Sequence, residues 1–207
     1  MPTFLYSERE LRWFSAPKLP INSATYAKLR SWLFDKGSLT AKLIELSEGN
    51  FRVEVLRQIR ARASLSEALA LKIAPCELCV VREVMLLGHD DAWVFARSVL
   101  PLSSLTGTLR HLRKQGNRPL GAFLFSQPQL SRSAIVVAAI DRRHHYVPLN
   151  LLGEESLWGR RSVFYLHAKP LLVSEVFLPS FSQALNTNLV LSTNRNNAPS
   201  LNNGTSQ

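Results

Sequence analysis

Two charged residues stand where charge is costly. In residues 171–178, LLVSEVFL, the side chains of a strand alternate between faces. Leu171, Val173, Glu175 and Phe177 then share one face, and Leu172, Ser174, Val176 and Leu178 share the other. Glu175 is a carboxylate set in an apolar row. Residues 78–86 repeat the pattern with the opposite sign: Leu78, Val80, Arg82, Val84 and Leu86 share a face, and Arg82 is the charge among them. A guanidinium keeps its proton inside a protein, so a buried Arg82 must meet an anion. A buried carboxylate needs a partner, a raised pKa or a polar cavity, since leaving it unpaired costs on the order of several kcal/mol. Two arrangements satisfy both residues. They can form an ion pair across a sheet, or stand apart with a small ligand between them, its carboxylate forked by Arg82 and its far end addressed by Glu175.

The elements that must position these residues can be read from periodicity. Residues 157–166 and 171–178 form two strands joined near 167–170, with Arg160 and Arg161 at the start of the first. Residues 77–87 and 93–100 form a hairpin around Gly88, His89, Asp90 and Asp91. Residues 51–59 and 131–140 supply further strands, the former through the alternation of Phe51, Val53 and Val55 with Arg52 and Glu54. Ahead of the sheet, residues 22–36 and 39–46 read as a helix pair, opened by Asn22 or Ser23, stopped at Gly37 and restarted at Ser38. Residues 105–115 are a basic helical segment ended by Gly116, and a Pro119-Leu120-Gly121 turn leads into apolar residues 123–125. Residues 61–74 are a short helix or a covering loop, and residues 141–150 a polar loop. The sum is an α+β single domain over residues 1–182, with an antiparallel sheet of five or six strands and helices on one side. Residues 183–207 are rich in Asn, Ser and Thr and are expected to be disordered, so that truncation after Ser180 leaves activity intact.

Composition narrows the partners. Lys and Arg number 25 against 15 Asp and Glu, a formal charge of +10, which favours an anionic partner: nucleic acid, an acidic lipid surface or a small carboxylate. The cations are scattered, densest at Arg110, His111, Arg113 and Lys114, and form no nucleic-acid-binding arm. Cys76 and Cys79 make a C-x-x-C without the second pair a zinc site wants, and on a strand they would point to opposite faces, so they read as structural. His144 and His145 are neighbours in a polar loop and read as solvated, and His89 belongs to a turn. No G-x-S-x-G or phosphate-binding glycine loop occurs. The longest apolar run, residues 134–140, falls far short of the roughly 20 residues a membrane helix needs. Glu8 and Glu10 interrupt any signal-like core at the start. These features imply a cytoplasmic protein with no membrane segment and no metal.

Five stretches also carry a resemblance. VREVMLL around Arg82, WVFARSVLPLSSLTG, RPLGAFLF around Leu120, LWGRRS and KPLLVSEVFLP around Glu175 resemble, in order and spacing, the chorismate pyruvate-lyase family. The resemblance runs from about residue 20 to Pro179. It implies cleavage of chorismate to 4-hydroxybenzoate and pyruvate for ubiquinone biosynthesis, by a cytoplasmic monomer without metal or organic cofactor. It also implies a six-stranded antiparallel sheet holding the product in an internal site beneath helical flaps. The family's catalytic and binding arginine falls on Arg82 and its glutamate on Glu175; its leucine contact falls on Leu120 in the P-L-G turn. Its contact in the helix joint, often methionine, falls on Leu39, which is a departure. Arg160 and Arg161 are candidates for the enolpyruvyl carboxylate, with surface ion pairing the favoured role. Glu175 either removes the C4 hydrogen as a base or positions the C4 hydroxyl while that hydrogen passes directly to the enolpyruvyl methylene. The alternative is a non-catalytic module of the same fold that senses small aromatic acids, as in the effector domains of bacterial regulators. Such a regulator would set a DNA-binding helix-turn-helix ahead of the sheet, where this chain has only about fifty residues.

Overall fold

The protein is described by a computed structural model over residues 11–15 and 24–196, with the backbone alone for residues 24–26, 28 and 188–196. The expected helix cap at Asn22 or Ser23 lies outside the described residues. The chain forms α1 (Ala24–Leu33), α2 (Leu39–Leu46), β1 (Phe51–Arg62), α3 (Leu65–Leu71), β2 (Leu78–Gly88) and β3 (Asp91–Pro101). A 3₁₀ segment, Gly107–Lys114, then precedes α4 (Leu120–Phe125), β4 (Ser131–Arg132), β5 (Val136–Ile140), β6 (Leu157–Leu166), β7 (Lys169–Phe177) and α5 (Pro179–Asn196). All pairings are antiparallel in the order β1-β2-β3-β7-β6, and β4 and β5 both pair with the outer edge of β6. The sheet is therefore six positions wide, as expected. Among the described residues no helix is long and apolar enough to cross a membrane.

Alternation divides the strands' side chains between two faces. On the first, Val53, Val84, Val94 and Phe177 pack on Leu29 and Leu33 of α1 and on Leu39 and Leu43 of α2. Farther along that face, Val80, Leu100, Phe164 and Leu171 pack on Leu109 and Leu112 of the 3₁₀ segment and on Leu120 and Leu124 of α4. On the second face, Leu71 of α3 meets Val81, Val99 and Leu172, while Val147 and Leu152 cover Phe95 and Val176.

The second face is polar in the middle. Arg57, Glu83, Arg97, Ser174 and Arg161 are in-register neighbours across β1, β2, β3, β7 and β6. Glu83 accepts from Arg57 at 2.8 Å and from Arg97 at 2.5 Å, and Arg97 also donates to Glu67 of α3 at 2.7 Å. A bulge in β1 makes this possible. The register shifts between Val55 and Arg57, so Leu56 is supernumerary and Arg57 crosses from the face of Val55 to that of Glu83. Glu67 doubles as the third residue of a capping box with Ser64. Its burial pushes the carboxyl up, but the bonds and charge of Arg97, with Ser64, outweigh that and leave it below its ordinary 4.5.

The tail departs from expectation. Residues 183–196 are not disordered but continue α5 to Asn196, so the expected domain limit at residue 182 falls inside a helix. Residues 197–207 lie outside the described residues. The cause is three apolar residues at helical spacing within a polar composition. Phe181, 0% exposed, packs against Trp32, Trp93 and Phe177, and Ala184 and Leu185 follow on the same side.

Two outcomes follow from this packing. Ending the chain after Ser180 removes Phe181, and urea unfolding is expected to show a loss of about 3–5 kcal/mol, the usual cost of deleting a core phenylalanine. A chain ending at Thr187 should lose far less, and equal stability of the two would show that α5 does not anchor the fold. Glu67 binds its proton less readily folded than unfolded, so its contribution is present above pH 4.5 and lost as pH falls below. Glu67→Gln should lower stability near neutrality and flatten its decline as pH falls below 4.5, followed by thermal melts at descending pH.

Candidate active site

Strand register assembles the site on the first face. Val84, Ala96, Glu175 and Arg160 lie side by side across β2, β3, β7 and β6, and Arg82, Ser98, Val173 and Ser162 form the next row. Glu175 takes its ion pair from its direct neighbour: Arg160 Nε donates to Glu175 Oε2 at 2.6 Å. Arg82 instead donates from Nη2 to the carbonyls of Gly116 at 2.7 Å and Arg118 at 3.4 Å. The two residues singled out by pattern are thus not each other's partner. Arg160, expected at the surface, is 1% exposed, because β6 starts at Leu157 and carries Arg160 into the interior beside Glu175.

The end of α1 holds this arrangement from above. The last carbonyls of a helix have no partner within it, and the helix dipole favours cations there. Arg160 Nη1 donates to Trp32 O at 2.6 Å and Asp35 O at 2.9 Å. Arg132 of β4 reaches the same turn, donating to Lys36 O at 3.2 Å, with its guanidinium over the Phe164 ring at 4.9 Å. Burial and the charge of Arg160 pull Arg132 down to about 10, which still leaves it protonated at neutral pH. Burial alone lowers Arg82.

Arg82, Glu175, Leu39 and Leu120, the four residues expected in the site, all line one cavity, together with Arg132 and Arg160. It leaves about 40 Å³ for the centres of water-sized molecules, where one water needs about 10–15 Å³. Leu39 opens α2 and Leu120 opens α4, so each presents a backbone N–H with no acceptor inside its own helix. The two helix starts meet at Thr40 and Gly121, where a Cβ on Gly121 would stand 2.8 Å from Thr40 Oγ1. Glycine is what permits that approach.

Three guanidiniums therefore face one carboxylate, an excess of two positive charges. The Nε atoms of Arg82 and Arg132 are buried without a hydrogen-bond partner among the described residues. Such an arrangement can bind a dianion. The thiols play no part: Cys76 and Cys79 are free, and burial first, then Glu77, push Cys79 to about 11. Among the described residues no group of three or more His, Cys, Asp and Glu is placed to hold a metal.

A family model described as chorismate lyase matches residues 10–186. The chain belongs to the chorismate lyase family. It is 41% identical over 155 residues to a "Probable chorismate pyruvate-lyase" of Methylococcus capsulatus, covering 73% of this chain and 95% of that one. It is 44% identical over 160 residues to a protein of the same description from Thiobacillus denitrificans, covering 73% and 83%. Among solved structures, the effector domain of PhnF from Mycobacterium smegmatis aligns with a TM-score of 0.51 at 15% identity, over 70% of this chain and 90% of that one. That likeness establishes a shared fold and nothing more.

The sequence offers Arg160 as a candidate but favours the surface for it, and it gives no sign of Arg132. Arg160 carries the same signal as Arg82, a charge in an alternating face with Trp158, Ser162 and Phe164, but its place at a strand start suggested surface. Arg132 precedes a break between two short strands and offers no pattern at all. Because Arg160 ties Glu175 to α1, Arg160→Ala strands a buried carboxylate and uncaps the helix end. A loss of about 3–5 kcal/mol in urea unfolding is expected, and a loss below about 1 kcal/mol would show that the pair carries no structural weight.

Proposed function

We infer that the chain is a chorismate lyase, converting chorismate to 4-hydroxybenzoate and pyruvate for ubiquinone biosynthesis, and that its cavity is the catalytic site. The observation that carries the reading is the pair of buried, acceptor-less Nε–H groups on Arg82 and Arg132 in a cavity with two surplus positive charges. A buried N–H without an acceptor costs about 1–3 kcal/mol, and a carboxylate on each removes that cost. Chorismate carries two carboxylates. In this reading Arg82 holds the ring carboxylate and Arg132 the enolpyruvyl carboxylate, while Arg160 keeps Glu175 fixed.

The reaction breaks the C3–O ether and the C4–H bond and forms the C3–C4 double bond that completes the aromatic ring. The C4 hydrogen passes to the enolpyruvyl methylene, which becomes the methyl group of pyruvate as the ether oxygen becomes its carbonyl. Aromatisation drives the step, and the protein supplies orientation and stabilises charge on the departing enolpyruvate. Glu175 has Oε2 engaged by Arg160, which leaves Oε1 to accept from the C4 hydroxyl. A carboxylate held in that way favours a positioning role over proton abstraction. The N–H groups of Leu39 and Leu120 complete the enclosure, with α2 and α4 covering the cavity as flaps that meet at Thr40 and Gly121. Two free thiols suit a reducing, cytoplasmic setting.

The test is incubation of the protein with chorismate and a metal chelator, with both products quantified. Equimolar 4-hydroxybenzoate and pyruvate are expected, falling at least about 100-fold in Arg82→Ala and in Glu175→Gln, both checked for folding by circular dichroism. Tight 4-hydroxybenzoate binding without turnover would instead make the protein a sensor built on the same sheet. Neither binding nor turnover would leave Arg82 and Glu175 as structural residues.

A further inference from the structure

Much of the chain's positive charge lies outside the cavity. Residues 51–62 and 107–118 hold eight of its 25 Lys and Arg residues and one acid, Glu54, a net +7 of the overall +10. Between β1, at the free edge of the sheet, and the 3₁₀ segment runs a groove of about 540 Å³. Arg60, Arg110, His111, Arg113 and Lys114 line it over a floor that includes Val80. Arg60, Arg110 and Lys114 are exposed and make no ion pair among the described residues. The Arg113 Nε is buried without an acceptor among them. Cations on an edge strand commonly discourage strand addition, which accounts for those of β1. It does not account for the cations that the covering 3₁₀ segment sets opposite them.

The groove and the cavity share a wall. Val80 in the groove and Arg82 in the cavity are successive residues on one face of β2, about 7 Å apart. Residues 113–118 cross between them. At one end Gln58 donates to Arg113 O at 2.8 Å, and toward the other Arg82 donates to the carbonyls of Gly116 and Arg118. Gly116, with φ of 57°, sits in the middle as the residue best able to change conformation.

We propose that this groove is a second, outer anion site that captures the substrate dianion before it passes residues 113–118 into the cavity. The inference rests on the lyase reading for its ligand. A cation-lined groove over a low-dielectric floor raises the local concentration of anions and speeds their association by about 10–1,000-fold. The pull scales with charge. Chorismate carries two carboxylates, whereas 4-hydroxybenzoate and pyruvate carry one each, so the groove favours loading of substrate over return of product.

Two measurements on the full chain test it, with Arg60→Gln/Arg110→Gln/Lys114→Gln as the variant, since none of the three lines the cavity. In ¹H–¹⁵N spectra at low salt, succinate should shift amides of residues 57–62 and 107–114 in the wild type and not in the variant. Benzoate, a monoanion, should shift those amides much less. Absence of these shifts, or equal shifts in both proteins, overturns the outer site whether or not the protein is a lyase. In stopped-flow tryptophan fluorescence, the association rate of chorismate should fall about tenfold in the variant at about 20 mM salt and match the wild type near 500 mM, with kcat unchanged. An unchanged association rate at low salt overturns the capture role. A wild type that fails to turn over chorismate defeats the lyase reading alone, and the succinate titration then decides the groove.

Discussion

A buried guanidinium cannot give up its proton, so wherever the fold takes one inside, oxygen atoms must be brought to it. Several arginines lie within the sheet's two interfaces, and the covering layers sit where they can supply that oxygen. Arg160 and Arg132 draw the carbonyl end of α1 down onto β6 and β4. Arg82 fixes residues 116–118 over β2. Arg97 anchors α3 through Glu67 on the opposite face. Apolar packing says that helices cover this sheet, and the arginines fix the end of α1 and the first turn of α3 upon it.

The same strands serve the two faces with different electrostatics. Arg82 and Glu83, Arg97 and Ser98, and Ser174 and Glu175 are neighbours in sequence that alternation sends to opposite sides. On the second face Arg57 and Arg97 are bonded to Glu67 and Glu83 in one network, and Arg161 beside them donates to Ser66. On the first face three arginines meet one glutamate, with two N–H groups left over. Compensation stabilises and excess binds. A fold gains nothing from surplus buried charge by itself, which is why the first face reads as a site and the second as a clamp that keeps the strands of that site in place.

How much of this was legible follows from period and from its interruptions. Arg82 and Glu175 stand in the middle of unbroken alternating strands, so two-residue periodicity exposes them without any fold in hand. Arg160 obeys the same rule, and only its place near the start of β6, beside a second arginine, suggested the surface. The bulge at Leu56 was not legible: one extra residue sends Arg57 to the other face, and nothing in the run from Val55 to Gln58 marks where pairing slips. α5 was masked by its own composition, since the Asn, Ser and Thr content outweighed Phe181, Ala184 and Leu185, whose value lies in the groove waiting for them between Trp32 and Trp93. Arg132 required knowing that the turn after α1 passes over β4, a long-range fact.

The likeness to the effector domain of PhnF, at a TM-score of 0.51 and 15% identity, is one of fold alone, and a shared sheet leaves sensing and catalysis to be told apart by side chains. Both tasks need an anion site beneath covering helices. They part over Glu175. A sensor for a carboxylic acid is served by arginine alone, and a carboxylate beside the ligand would repel it and cost affinity. In the proposed lyase reading, Glu175 fixed in that cavity by Arg160 serves a ligand that offers a donor at its far end. Chorismate offers the C4 hydroxyl on the carbon that must lose its hydrogen. Holding that oxygen would set the direction of the neighbouring C4–H bond, and a second arginine on the enolpyruvyl arm, as proposed, would bring the hydrogen and the methylene that receives it into one ring of reacting atoms. In that reading the glutamate works by constraint, and the arginine bonded to it supplies the rigidity that a constraint requires.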